Sequence, residues 1–216
     1  MIFECKAILF DLDGVLVDSA ECVEDTWRRW AEANQLDPDR VIELAHGRRT
    51  IETVQLVAPH LAADEELARL AASESTQTTG IYEIPGAREY LASLPGQWAI
   101  VTSGIRAVAT LRIQHTNLPF PPVLVCADEV HAGKPDPEGY LSAASRLGVD
   151  PRECVVVEDA PPGIEAAQRA GMRSIAVLGT YSPSDLRRAD TIVKSVASLS
   201  ARFNNGTMQV IATPVA

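Results

Sequence analysis

No stretch of the 216-residue chain is apolar for long enough to cross a bilayer, and no basic segment followed by an apolar one stands at its start. Neither a membrane span nor an export signal is expected, and the cytoplasm is the expected compartment. Cysteine is sparse: Cys5, Cys22, Cys126 and Cys154 are scattered, without Cys-x-x-Cys spacing. That pattern points away from a disulfide framework or zinc site and toward buried thiols in a reducing compartment. Positive charge is short, with 19 Lys and Arg against 29 Asp and Glu and a net charge of −10. Nucleic acid and anionic membrane are therefore poor candidates for the main partner. An anionic substrate would have to be drawn in by a local cation or a bound metal. Internal repeats are missing too, and the one biased stretch is an alanine-rich run within 64–75.

What remains is an ordinary globular composition, 46% hydrophobic and 22% charged, in a chain long enough for one sizeable core with a smaller appended domain. The apolar run Ala7-Ile-Leu-Phe leads directly into Asp11-Leu-Asp13-Gly14. Such a run reads as a buried strand of a parallel sheet, and in open α/β sheets ligands bind at the carboxyl ends of strands. In an ideal strand Asp11 and Asp13 share a face, and two close anions need a cation or a shared proton. Mg²⁺, which favours carboxylates, water and phosphate oxygens, fits best. A strand end with an Asp turn is the plainer reading of Asp-x-Asp-Gly taken alone.

Residues 16 to 83 read as helices only. Cys22, Val23, Trp27, Trp30 and Ala31 mark the first, with Asp18 and Ser19 offering capping oxygens. Shorter helices follow around 41–45, 51–57 and 64–75. After Pro85-Gly86 the pattern changes to strands near 98–102, 123–126, 155–158, 174–178 and 191–193, alternating with helices. That alternation predicts an α/β fold with a parallel sheet covered on both faces. The long helical excess between the first two strands reads as an inserted domain. The expected organisation is a core of 1–15 and 84–216 and a helical bundle of 16–83. Residues 204–216 would add an edge strand or fray.

Three further strand ends carry chemistry. Thr102-Ser103-Gly104 offers a hydroxyl and backbone N–H groups suited to a phosphate, although the same residues serve as capping chemistry. Lys134, between Gly133 and Pro135, is pinned on stiff backbone as a point charge for a phosphoryl group. Glu158-Asp159 follows the apolar run Val155-Val-Val and suggests a metal-facing carboxylate with a supporting partner.

Taken together, Asp11-x-Asp13-Gly, Thr102-Ser103-Gly104, Gly133-Lys134-Pro-Asp-Pro and Glu158-Asp159-Ala resemble the haloacid dehalogenase-like hydrolase superfamily of the α-helical (C1) cap type. The resemblance covers nearly the whole chain. It implies a Rossmann-like core with an inserted α-helical cap, whose hinges are expected near Val17 and from Gly80 to Pro85. It implies Asp11 as a nucleophile forming an aspartyl-phosphate and Asp13 as acid and then base. Mg²⁺ would be held by the Asp11 side chain, the Asp13 carbonyl and Asp159, with Glu158 acting through a water. Thr102, the backbone about Ser103 and Gly104, and Lys134 would bind the phosphoryl oxygens. A dehalogenase needs neither the metal nor Asp13, which leaves a phosphatase or a phosphomutase. His46-Gly47-Arg48-Arg49-Thr50 and Val157-Glu-Asp-Ala-Pro-Pro-Gly-Ile-Glu-Ala-Ala167 are similar to small sugar- and polyol-phosphate phosphatases, with a sugar phosphomutase of the β-phosphoglucomutase type as the alternative. A catalytically idle binding module is a third reading, against which the intact acids and lysine argue. In the phosphatase reading the cap loop would supply His46, Arg48 and Arg49 as contacts to the non-phosphate end of the substrate, although His46 beside Gly47 also fits a helix C-cap; Trp27 and Trp30 are assigned to cap packing. The expected partner is a small phosphorylated metabolite, and the expected assembly a monomer or small homo-oligomer.

Overall fold

The computed structural model describes residues 1–45, 48–204 and 207–215. Its organising layer is a six-stranded parallel sheet made of β2 (Ala7–Phe10), β5 (Gln97–Val101), β6 (Val123–Val125), β7 (Cys154–Glu158), β8 (Arg173–Val177) and β9 (Thr191–Val193). The spatial order is β6-β5-β2-β7-β8-β9. Ala7 through Phe10 pair with residues 97–100 on one side and 154–157 on the other. From β2 the chain runs outward to β5 and β6, then returns to the other side of β2 for β7. The order therefore reverses at β2, where α/β sheets open their ligand crevice.

All four residues of β2 are buried, which is why it reads as an unbroken apolar run. The pleat sends its side chains to opposite faces. Ile8 and Phe10 join Ile100, Val155, Val157 and residues of α5 (Ala87–Ser93) and α6 (Arg106–His115), where Phe10 meets Tyr90 edge-to-face at 6.0 Å. Ala7 and Leu9 face α7 (Glu138–Leu147) and α8 (Pro161–Arg169), whose Ala143, Ala144, Ala166 and Ala167 let the helices approach closely.

The helical stretch forms α1 (Ala20–Ala33), α2 (Pro38–Ala45), α3 (Thr50–Val57) and α4 (Ala63–Glu74) around a cluster of its own. Trp27 and Trp30 pack there edge-to-face at 5.4 Å, and the Trp30 indole N–H donates to Glu66 at 2.8 Å. The two chain passages that join this block to the sheet pair with each other. β3 (Val17–Asp18) and β4 (Tyr82–Glu83) run antiparallel, with Val17 opposite Glu83 and Asp18 opposite Tyr82.

The tail does not fray, and most of it goes to a sheet the sequence did not suggest. β11 (Thr207–Ala212) is the central strand of a separate antiparallel sheet, between β1 (Ile2–Cys5) and β10 (Leu199–Asn204). Its alternate residues Met208, Val210 and Ala212 are buried with Phe3 and Cys5, which holds it in place. Past it Pro214 bridges Val193 and the Val215 N–H donates to the Ile192 carbonyl at 2.9 Å, which lays the end of the tail along the edge strand β9. No helix among the described residues is long and apolar enough to cross a membrane.

Candidate active site

Three neighbouring strands deliver polar residues to one end of the sheet. Asp11 continues β2 by one residue, its N–H donating to the Val157 carbonyl at 2.9 Å. The chain then turns back at once: the Gly14 N–H donates to the Val17 carbonyl at 2.8 Å, and Gly14 has φ +80°. A side chain there would also collide with Asp159, whose Oδ2 lies 2.2 Å from where a Cβ would be. Glycine is thus required twice over, by conformation and by the approach of a carboxylate.

Lys134 reaches in from the connection between β6 and α7. Its Nζ lies 2.5 Å from Asp11 Oδ1, 2.6 Å from Glu158 Oε1 and 3.2 Å from the Val101 carbonyl. Both oxygens of the Glu158 carboxylate are engaged: Oε1 also accepts from the Tyr140 hydroxyl at 2.8 Å, and Oε2 from the N–H groups of Asp159 and Ala160 at 3.0 and 3.1 Å. Glu158 therefore fixes Lys134 and the turn into α8.

Asp11, Glu158 and Asp159 are all buried, and each offers an oxygen within 4.8 Å of the others. Against these three carboxylates Lys134 sets one ammonium. Burial first, then Glu158 and Asp13, push the Asp11 carboxyl up to about 7 despite Lys134. Burial and repulsion from Glu158 and Asp11 hold Asp159 well above the ordinary carboxylate range. Burial opposes the charge on Lys134, but Asp11 and Glu158 overcome it and raise its pKa. An all-oxygen, electron-rich donor set short of countercharge suits a hard divalent cation such as Mg²⁺.

Asp13 behaves differently. Its carboxylate turns toward Ser19, whose hydroxyl donates to Oδ1 at 2.7 Å, and toward Arg112, also 2.7 Å away. The Asp13 side chain thus lies outside the acidic cluster. Thr102 is buried at the end of β5, and its Oγ1 accepts from the Gly104 N–H at 3.0 Å. Thr102, Ser103 and Gly104 all line a cavity of about 610 Å³ together with Asp11, Asp13, Lys134, Glu158 and Asp159. The helical block supplies its opposite wall, including Glu24, Trp27, Arg48, Thr50 and Glu74, and the 178–181 segment closes one side.

Of the expected cap contacts, His46 lies outside the described residues. Arg48 lines the cavity and Arg49 does not. The Arg49 guanidinium pairs with Glu52 at 2.6 Å and donates to the Val130 carbonyl at 3.3 Å. Its side chain lies across Gly133, where a Cβ would come within 2.7 Å of Nε. Arg49 thus straps the helical block to the segment that carries Lys134.

Sequence reasoning missed Arg112, Tyr140 and Glu74, and took Ser19 for a helix cap. Ser19 stands at the cap position of α1 without capping it; its hydroxyl goes to Asp13. Arg112 left one signal. It shares the buried face of α6 with Val108, Ala109 and Ile113, a place for an apolar residue.

A family model for haloacid dehalogenase-like hydrolase matches residues 5–171. The chain is 42% identical over 202 residues to hexitol phosphatase A of Escherichia coli K12, covering 91% of this chain and 94% of that one. It is 34% identical over 209 residues to glycerol-1-phosphate phosphohydrolase 2 of Saccharomyces cerevisiae, covering 90% and 84%. Among solved structures, a hydrolase from Pseudomonas syringae superimposes with a TM-score of 0.78 at 28% identity, covering 88% and 94%.

Proposed function

The chain belongs to the haloacid dehalogenase-like hydrolases, and from that premise we propose that it is a Mg²⁺-dependent phosphatase of small sugar or polyol phosphates, working through an aspartyl-phosphate on Asp11. The observation that carries this reading is the buried Asp11 carboxylate, held beside Lys134 and within reach of Asp159 at the floor of a cavity. Residues 1–15 and 84–216 act as the core domain and 16–83 as the cap. The paired β3 and β4 are the hinge, and closure of the cap excludes water from the reacting phosphoryl group.

Thr102, the backbone around Ser103 and Gly104, and Lys134 hold the phosphoryl oxygens. A free oxygen of Asp11 attacks phosphorus in line with the departing alcohol; the new oxygen–phosphorus bond forms as the ester bond breaks. Asp13 gives its proton to the departing oxygen. In the second half Asp13 takes a proton from a water, whose oxygen attacks the phosphorus, frees inorganic phosphate and returns Asp11 to its starting form. Asp11, Asp159 and the Asp13 carbonyl would hold Mg²⁺, with Glu158 acting through a water. The ion supplies charge neutralisation at the phosphoryl oxygens during transfer.

The cavity favours a phosphatase over the mutase alternative. A bisphosphate intermediate needs cations at both ends. Beyond Lys134, the described residues of the wall offer Arg48 and an Arg112 already bound to Asp13, beside the carboxylates of Glu24 and Glu74. Carboxylates accept hydrogen bonds from hydroxyls and repel a second phosphate, which fits an uncharged polyhydroxy tail. Relatives named as hexitol and glycerol-1-phosphate phosphatases support the same substrate class.

The test is phosphate release from hexitol, glycerol and sugar phosphates, each with Mg²⁺ and with a chelator. β-Glucose 1-phosphate with a bisphosphate primer is included. Metal-dependent release from polyol monophosphates is expected. Glucose 6-phosphate formed from the primed substrate, without phosphate release, would make the protein a mutase.

A further inference from the structure

Arg112 is among the most deeply buried charged residues of the protein, 4% exposed on the inner face of α6. Burying a guanidinium is costly unless its partners compensate. One of its nitrogens lies 2.7 Å from Asp13 Oδ1 and another 3.9 Å from Glu74 Oε2, while Nε, also buried, has no hydrogen-bond partner. Its compensation thus comes from Asp13 and Glu74.

The setting of this cluster is informative. Ser19, which also binds Asp13 Oδ1, immediately precedes α1, and Glu74 is the last residue of α4. The two ends of the helical block therefore converge on the Asp13 carboxylate, with a core arginine between them. Glu74 is itself drawn out of water, and burial raises its pKa. Arg112 lines the cavity, but its guanidinium is turned to Asp13 and Glu74 and pairs with none of Asp11, Lys134 and Asp159, so Asp13 is the route by which it reaches the chemistry.

We propose that Arg112 is a positioning residue: it fixes the Asp13 carboxylate for proton transfer and, through Glu74, ties that position to the seating of the helical block. The inference rests on the reading of Asp13 as acid and base. Arg112 then matters for steps that move a proton and little for phosphoryl binding.

The experiment is a double-mutant cycle of Arg112→Met and Asp13→Asn on glycerol 1-phosphate, with the initial burst of nitrophenolate from p-nitrophenyl phosphate followed in parallel. Arg112→Met is expected to lower kcat on the polyol ester about 100-fold, with KM changed less than about threefold. Its nitrophenolate burst survives, because that leaving group departs without a proton. The double variant is expected to be no slower than Asp13→Asn alone, since a residue acting through Asp13 has nothing left to position. Arg112→Lys restores part of kcat, and it carries the same cycle where the Met variant does not fold. Losses that multiply in the double variant, or a nitrophenolate burst slowed as much as turnover of the polyol ester, overturn the inference and leave the phosphatase reading intact. An Asp13→Asn enzyme with full activity on the polyol ester overturns the acid–base reading itself.

Discussion

Gly163 lies directly beneath the carboxylate of Glu158: a Cβ on it would fall 1.7 Å from Oε1 and 2.0 Å from Cδ. The first turn of α8 has no room for a side chain because the acid that anchors Lys134 occupies that space. Gly163→Ala should therefore push Glu158 aside. Overpacking of this kind costs about 1–3 kcal/mol, and the displaced carboxylate would release Lys134. A melting temperature lower by several degrees and a fall in phosphatase activity are both expected. An alanine variant as stable and active as the parent would mean that the turn relaxes freely and Glu158 is not held there.

Asp11→Asn tests the nucleophile. The substitution keeps shape and volume and removes one negative charge from a crowded cluster, so the fold should persist. Turnover should fall by at least about a hundredfold, because losing a nucleophile costs several powers of ten. Circular dichroism and phosphate release on one preparation decide the matter. A folded variant with more than about one hundredth of parental activity removes Asp11 from that role.

The site was legible where a buried strand ends in polar residues. β2, β5 and β7 are covered on both faces, so each reads as an apolar run that stops abruptly at Asp11, Thr102 or Glu158. The antiparallel sheet was not legible, because one face of β1 is exposed. Ile2 and Glu4 alternate with buried Phe3 and Cys5 in only four residues, too few for a clear period. Arg112 and Tyr140 belong to no motif; each is a single polar residue on an apolar helix face, and only the packing of α6 and α7 shows what it meets. Spacing likewise does not separate Arg48 from Arg49. Adjacent residues at the entry to α3 point in different directions, and the bare Gly133 is what receives Arg49.

That strap predicts a specific phenotype. Arg49→Ala removes the Arg49–Glu52 pair and the bond to the Val130 carbonyl. Faster hydrogen exchange in residues 130–134 is expected, together with a lower kcat as Lys134 loses its backing. KM for the phosphorylated substrate should change less than about threefold, since Arg49 does not line the cavity. A KM raised tenfold or more, with exchange at 130–134 unchanged, would instead make Arg49 a substrate contact.

Metal binding should depend on pH in a direction set by Asp11. Without a metal, burial and neighbouring acids push its carboxyl up to about 7, above the ordinary range for aspartate. The protonated form is a poor ligand, so protons compete with Mg²⁺ below that point and cease to compete above it. Between pH 8 and pH 6 the apparent Mg²⁺ affinity should weaken by at least about tenfold, as Asp11 alone becomes about 90% protonated and Asp159, raised in the same direction, adds to the competition. Calorimetric titration of the metal-free protein at both values measures this. At pH 8, Mg²⁺ at about a hundred times its dissociation constant should add about 2.7 kcal/mol of stability, or about 5–11 °C in Tm for a chain of this size. Asp159→Asn, which removes a charge from the cluster, should abolish most of that gain. An unshifted Tm in the parent, or an equal shift in the variant, would place the metal elsewhere than on Asp11 and Asp159.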